Sequence, residues 1–150
     1  MDFRRLVTGT IVAGIALFVL GYVIFDVGVA SFYAANAGSA TGVTREPQLM
    51  WAVMLGSLAY GALVTLAIGS RPGSTTIVAG ARIGAVVGFL LWCTADFILF
   101  GATNMANLTR TVVDPLLELV RAGIAGGIVA VALGKMQGAG RRESRRAAAV

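Results

Sequence analysis

Hydrophobic residues along this chain are concentrated in four long segments that short polar stretches separate. The segments cover residues 6–30, 49–68, 77–100 and 112–133. Each is long enough to cross about 30 Å of hydrocarbon at about 1.5 Å per helical residue. Because the stretches between them are rich in glycine, proline and polar residues, we expect the helices to end there. The pattern predicts an all-α protein, a bundle of four transmembrane helices.

The composition agrees with this prediction and argues against a soluble domain. Hydrophobic residues make up 57% of the 150 residues, charged residues only 13%, and the mean hydropathy is +0.85. A soluble domain has about 25% charged residues. We therefore expect one transmembrane domain over residues 1–135, with the lipid bilayer as its surroundings.

Lysine and arginine are distributed unequally between the two ends of the predicted spans. On the side of the termini they are Arg4, Arg5, Arg71, Arg82, Lys135, Arg141, Arg142, Arg145 and Arg146. The loops on the other side contain Arg45 and Arg110. Since basic residues are retained in the cytoplasm, this distribution predicts cytoplasmic termini.

The last residues, 136–150, form a basic tail of mostly glycine, arginine and alanine. With little to bury, it is predicted to be disordered and to contact anionic lipid headgroups. Nucleic acid is a less favoured partner because the tail has no interleaved aromatic residues.

A short repeat suggests an internal duplication. The letters TIVAG occur at Thr10–Gly14 and again at Thr76–Gly80, near the start of the first and third spans. A duplication would give two tandem helical hairpins related by a pseudo-two-fold axis along the membrane normal. The alternative is a chance match between segments built from few residue types.

Glycines recur at helical spacing on three of the spans. They are Gly14 and Gly21 on the first, Gly80, Gly84 and Gly88 on the third, and Gly123 and Gly127 on the fourth. Small residues let helices approach closely in lipid, where no hydrophobic force drives their association. We expect these residues to pack the bundle or to mediate self-association.

Two charged residues within the spans are predicted to pair. Asp96 follows Arg82 by fourteen residues, and Arg121 precedes Lys135 by the same number. If Arg82 and Lys135 both mark the cytoplasmic interface, Asp96 and Arg121 lie at nearly equal depth. Pairing would avoid an isolated charge in the membrane, which costs at least about 2.5–3.5 kcal/mol.

Two further carboxylates extend this pair into a predicted polar cluster. Glu118 precedes Arg121 by three residues on the same helical face, and Asp26 lies late in the first span. The cluster of Asp26, Asp96, Glu118 and Arg121 either locks the bundle or binds a proton, cation or small solute. The asparagines of the outer loops are expected above it.

The sequence contains no pattern of a catalytic, metal or cofactor site. It has no histidine and one cysteine, and no nucleophile accompanies the carboxylates. We expect a non-enzymatic accessory or self-associating membrane component without cofactor or metal, as a homo-oligomer or with a membrane-protein partner. The alternative is a small transporter or channel that uses the charged cluster.

Three stretches resemble a group of small bacterial four-helix membrane proteins that are generally recorded as hypothetical. They read GYVIFDVGVASFYAANAGSATGV, TREPQLMWAVMLGSLAYG and ADFILFGATNMANLT. The resemblance covers the chain up to about Lys135. It implies the same fold and a location in the bacterial inner membrane, and it implies no activity.

Overall fold

The computed structural model describes residues 1–71 and 73–147, with side chains up to residue 138. The principal helices are α1 (Phe3–Gly21), α3 (Met50–Gly69), α4 (Ile77–Ala102) and α5 (Leu108–Ala147). A π-helical segment, Tyr22–Gly28, continues α1, and the short α2 covers Ala30–Ala35. The predicted all-α four-helix bundle is confirmed.

Four helical segments are long and apolar enough to cross a membrane. They are Phe3–Gly28, Met50–Gly69, Ile77–Ala102 and Leu108–Gly138. Each overlaps one predicted span, but the first and fourth begin earlier than predicted. Both early starts have a capping side chain, because Asp2 accepts a hydrogen bond from Arg5 N at 2.8 Å and Asn107 from Arg110 N at 2.9 Å.

The fourth helix also ends later than predicted. Its backbone remains helical to Ala147 rather than ending near Leu133, so the prediction of a disordered tail is wrong for residues 136–147. Four arginines and two alanines among residues 136–147 are strong helix formers and favour this extension. The last three residues lie outside the described part of the chain.

The helices form two antiparallel hairpins, α1 with α3 and α4 with α5. The hairpins meet mainly through α1 and α5, whereas α3 and α4 touch over a much smaller surface. The buried core includes Leu17, Val64, Ile68, Val129 and Leu133. The bundle is therefore tight within each hairpin and open between α3 and α4.

Glycines allow the two backbones of each hairpin to approach closely. A Cβ added at Gly14 would lie 3.0 Å from Leu58 Cα, and one at Gly61 would lie 2.6 Å from Gly14 N. In the second hairpin a Cβ at Gly84 would lie 3.0 Å from Gly126 Cα. Real Cβ atoms do not tolerate such distances without a shift of the neighbouring backbone. Any larger residue would separate the helices.

The predicted glycine face of α4 packs against α5, but through different α5 residues than expected. Gly80, Gly84 and Gly88 are buried against the row Ala122, Gly126 and Ala130. A Cβ on Gly123 or Gly127 would meet no atom closer than 3.5 Å. The spacing of four residues occurs in both rows, so sequence alone could not select the one that faces α4.

The two copies of the TIVAG sequence can be compared in the two hairpins, as a check on the predicted duplication. Gly14 and Gly80, the last residue of each copy, both approach the next long helix of their own hairpin. The copies differ in their position, since Thr76 is the N-cap of α4 whereas Thr10 lies within α1. The duplication stays a prediction.

The two long connections bind each other at the end of the bundle opposite the termini. Ala37 and Ala106 form an antiparallel bridge, and Ala40 N donates to Asn104 O at 3.0 Å. The side chain of Asn107 donates to Asn36 Oδ1 at 3.0 Å. These contacts tie the hairpins together beyond the apolar spans.

Candidate functional site

A buried ion pair on α5 forms the centre of the polar interior. Glu118 is 1% exposed and Arg121 is 8% exposed, and Arg121 Nη1 donates to Glu118 Oε1 at 2.5 Å. The hydroxyl of Tyr60 on α3 donates to the other carboxylate oxygen at 3.4 Å. Gly88 leaves room for this hydroxyl, since a Cβ there would lie 2.6 Å from it. Both oxygens of Glu118 therefore have a donor.

The guanidinium of Arg121 also joins α5 to α1. Its Nε and Nη2 donate to the backbone oxygen of Leu17 at 3.0 and 2.7 Å. Gly21 leaves room for this approach, since a Cβ at that position would lie 2.8 Å from Nη2. The acceptor is a backbone oxygen, which every residue carries, so no sequence pattern could have revealed it.

The predicted ion pair between Asp96 and Arg121 does not form. Arg121 pairs with Glu118, and Asp96 Oδ2, although enclosed, has no hydrogen-bond partner among the described residues. Equal depth along two helices does not determine which way each side chain points around its axis. Asp96 follows Gly88 by eight residues, which rotates it roughly 80° from the face that packs on α5. Glu118 lies on the same helix as Arg121 and reaches it by the local spacing of three residues.

Asp26 lies in the π-helical segment and is exposed. Gln48 Nε2 approaches its Oδ1 at 3.5 Å. Asp26 and Arg121 line a common cavity of about 350 Å³ between the end of α1 and the start of α3, together with Ser57 and Phe25. Of the four predicted cluster residues, Glu118 and Arg121 pair, Asp26 shares a cavity with Arg121, and Asp96 lies apart.

A second polar group, which no sequence pattern indicates, lies nearer the paired connections. Tyr33 of α2 donates a hydrogen bond to Asp114, which is 8% exposed. The guanidinium carbon of Arg110 lies 4.5 Å from the centre of the Tyr33 ring. No sequence pattern indicates Tyr33, because most of α2 lies in the connection between the first two predicted spans. The asparagines expected above the cluster instead bond to each other, as Asn36 and Asn107 do.

A third feature is a cleft of about 530 Å³ between α3 and α4. Its walls include Ser57, Tyr60, Leu91 and Trp92, and Arg121 lies at its inner end. The indole nitrogen of Trp92 is enclosed beside the Tyr60 hydroxyl and forms no hydrogen bond of normal geometry among the described side and main chains. Arg121 thus borders two cavities, one on each side of α3.

The arrangement defines an all-helical bundle of four apolar spans around a buried glutamate–arginine pair. Its polar groups can hold helices in register, and its guanidinium can donate hydrogen bonds into the neighbouring cavities. Comparisons with protein-family models, curated proteins and solved structures find no match to this chain.

Proposed function

We propose that this protein is a non-enzymatic component of the bacterial inner membrane that associates with a second copy of itself. The observation that carries the proposal is a groove on the outer surface of the α4–α5 hairpin. The groove has a volume of about 680 Å³, and small residues of both helices form its floor: Ala81, Ala85, Gly123 and Gly127. The basic residues around the termini favour an orientation with both termini in the cytoplasm.

The groove is separate from the contact that holds α4 to α5. That contact is closest along the row Ala122, Gly126 and Ala130, whereas Gly123 and Gly127 lie at its edge, where a Cβ would stay 3.5 Å or more from α4. Small residues four apart on a lipid-facing surface allow another helix to approach closely, and this packing drives association in a bilayer. A second helix therefore fits the groove better than flexible lipid chains do.

The same surface carries the side chains that would fill such a groove. Ile124 and Ile128 border it and are 46% and 44% exposed. A two-fold dimer needs a surface that is complementary to itself. Ile124 and Ile128 of one copy can insert between the small residues of the other, which makes a second copy the occupant we propose.

The oligomeric state of the full chain in lipid nanodiscs or vesicles tests this proposal. Single-molecule photobleaching counts copies over a range of protein-to-lipid ratios. We expect dimers that Gly123→Leu weakens by about tenfold or more in dissociation constant, because leucine fills the groove. Ile124→Ala, which removes the inserting side chain without adding bulk, should also weaken the dimer.

Gly101→Leu is the matched control, since Gly101 is exposed on α4 and a Cβ there meets no atom within 4 Å. It should leave dimerisation unchanged. Thermal unfolding of each variant shows that the fold is retained. A wild-type chain that stays monomeric at every ratio, or Gly123→Leu dimers as strong as wild type, would overturn the proposal.

The transport alternative receives less support from the geometry. It requires Asp96 and Glu118 to share an open cavity as a cation or proton site. The two cavities that Arg121 borders are lined by neither residue. Glu118 is instead occupied by Arg121 and Tyr60.

A further inference from the structure

The cleft between α3 and α4 opens sideways, toward the surroundings of the apolar spans. It exists because α3 and α4 touch over a much smaller surface than the helices within each hairpin. Its volume of about 530 Å³ lies within the range of small-molecule sites, about 300–1,000 Å³. Exposed apolar side chains, Leu63 and Leu91, stand at its walls.

Arg121 brings more hydrogen-bond donors to the cleft than its own acceptors use. Arg121 has five N–H groups, of which three bind Leu17 O and Glu118. Its two other N–H groups, one on each Nη, take part in no hydrogen bond within the described part of the chain, and the guanidinium carbon lies 5.5 Å from the centre of the Phe25 ring. The enclosed indole N–H of Trp92 forms no hydrogen bond of normal geometry, and the Tyr60 hydroxyl lies beside it. A ligand that brings an oxygen acceptor would satisfy groups that the protein leaves without a partner.

The charge of these donors and their depth in the bundle restrict which kind of acceptor can bind them. Glu118 already neutralises the guanidinium, so a neutral oxygen fits better than a second anion. Ser57 lies seven residues into α3, about 10 Å from its start. Phospholipid headgroups stay at the membrane surface, whereas a neutral carbonyl on a lipid-soluble molecule can enter to this depth. Tyr60 and Trp92 offer aromatic surfaces against which a flat ring can pack.

We propose that this cleft binds a lipid-soluble ring carbonyl compound of the isoprenoid quinone class. One ring carbonyl accepts hydrogen bonds from the free N–H groups of Arg121, and the ring lies beside Trp92. The apolar tail leaves between α3 and α4 toward the lipid. This binding is independent of the proposed dimer, whose groove lies on the α4–α5 surface.

Tryptophan fluorescence provides a direct test with the full chain in phospholipid nanodiscs. The protein contains two tryptophans, and Trp51→Phe leaves Trp92 in the cleft as the single reporter. Decylubiquinone is the probe, because it combines a quinone ring with an alkyl tail and quenches a neighbouring indole. We expect quenching that saturates with added probe, as binding to one site requires.

Gly56→Leu blocks the cleft without disturbing the packing. Gly56 lines the cleft, and a Cβ there meets no atom within 4 Å, so a leucine side chain extends into open space. We expect it to weaken decylubiquinone binding about tenfold or more. Gly101→Leu, equally unobstructed but not among the cleft-lining residues, should bind as wild type does.

Competition with decylbenzene tests the role of the carbonyl, since this probe has a ring and the same tail but no acceptor. We expect a tenfold excess of decylbenzene not to displace decylubiquinone. Displacement by decylbenzene at equal concentration would show that the cleft does not recognise the carbonyl. Quenching that rises linearly without saturation, or that is equal in wild type and Gly56→Leu, would overturn the site itself. Phospholipid surrounds the protein in every arm, so saturable quenching also shows that phospholipid does not fill the cleft.

Discussion

The Glu118–Arg121 pair should be the main electrostatic contribution to the stability of the bundle, and a double-mutant cycle can measure its coupling energy. Arg121→Gln removes the guanidinium from a carboxylate that is 1% exposed and leaves Glu118 with the long hydrogen bond from Tyr60. Breaking a buried pair in this way costs about 3–5 kcal/mol. The same change weakens the link to Leu17 O, and hydrogen bonds between membrane helices average about 0.6 kcal/mol each. We expect Arg121→Gln to lower the free energy of unfolding by about 3 kcal/mol or more.

The double variant Glu118→Gln with Arg121→Gln removes both charges, so it should lose less stability than the sum of the single variants. We expect a coupling energy of about 1.5–3 kcal/mol, typical of residues in direct contact. Asp96→Asn with Arg121→Gln is the control cycle, and its coupling should stay below about 0.5 kcal/mol because the two residues form no ion pair.

Reversible unfolding in mixed micelles, or steric trapping in bicelles, gives the required free energies. The comparison between the two cycles matters more than either value alone, because both use the same Arg121 change. Coupling of Asp96 to Arg121 that equals or exceeds that of Glu118 would refute the pairing. It would instead support the partner predicted from equal depth.

Three further predictions concern packing and capping. Gly84→Ala should cost about 1–3 kcal/mol of unfolding free energy, because its Cβ would overlap the backbone oxygen of Ala122 on α5. Gly123→Ala should be nearly neutral, and denaturant titration distinguishes the two variants. Asn107→Ala should lower the free energy of unfolding by about 1 kcal/mol and raise amide hydrogen exchange in the first turn of α5, because the cap of Arg110 N is lost. Asn104→Ala should do neither, since Asn104 accepts from Ala40 N through its backbone oxygen, which alanine keeps. Gly21→Ala places a methyl group 2.8 Å from the buried guanidinium of Arg121, so the Arg121 Nε–H should exchange with solvent faster. NMR follows this exchange, and an unchanged rate would contradict the close approach.

The sequence by itself determined the class of fold and the number of spans. In an apolar segment of twenty or more residues, every backbone polar group must be satisfied within the segment, which leaves a helix as the stable form. The glycines of α4 were also recognisable, because a spacing of four residues places them on one face whatever they pack against. Composition and spacing are local properties, and these features depend on them alone.

The tertiary structure decided which residues meet. Depth along the helices could be counted from the sequence, but rotation about each axis could not, and this separated Asp96 from Arg121. The choice of Gly126 over Gly123 and Gly127 depended on the same rotation. The bond from Arg121 to Leu17 O required α1 and α5 to be neighbours with Gly21 between them, and the cleft beside Trp92 required α3 and α4 to stand apart. Such contacts join residues far apart in the chain, so only the packing of the whole bundle determines them.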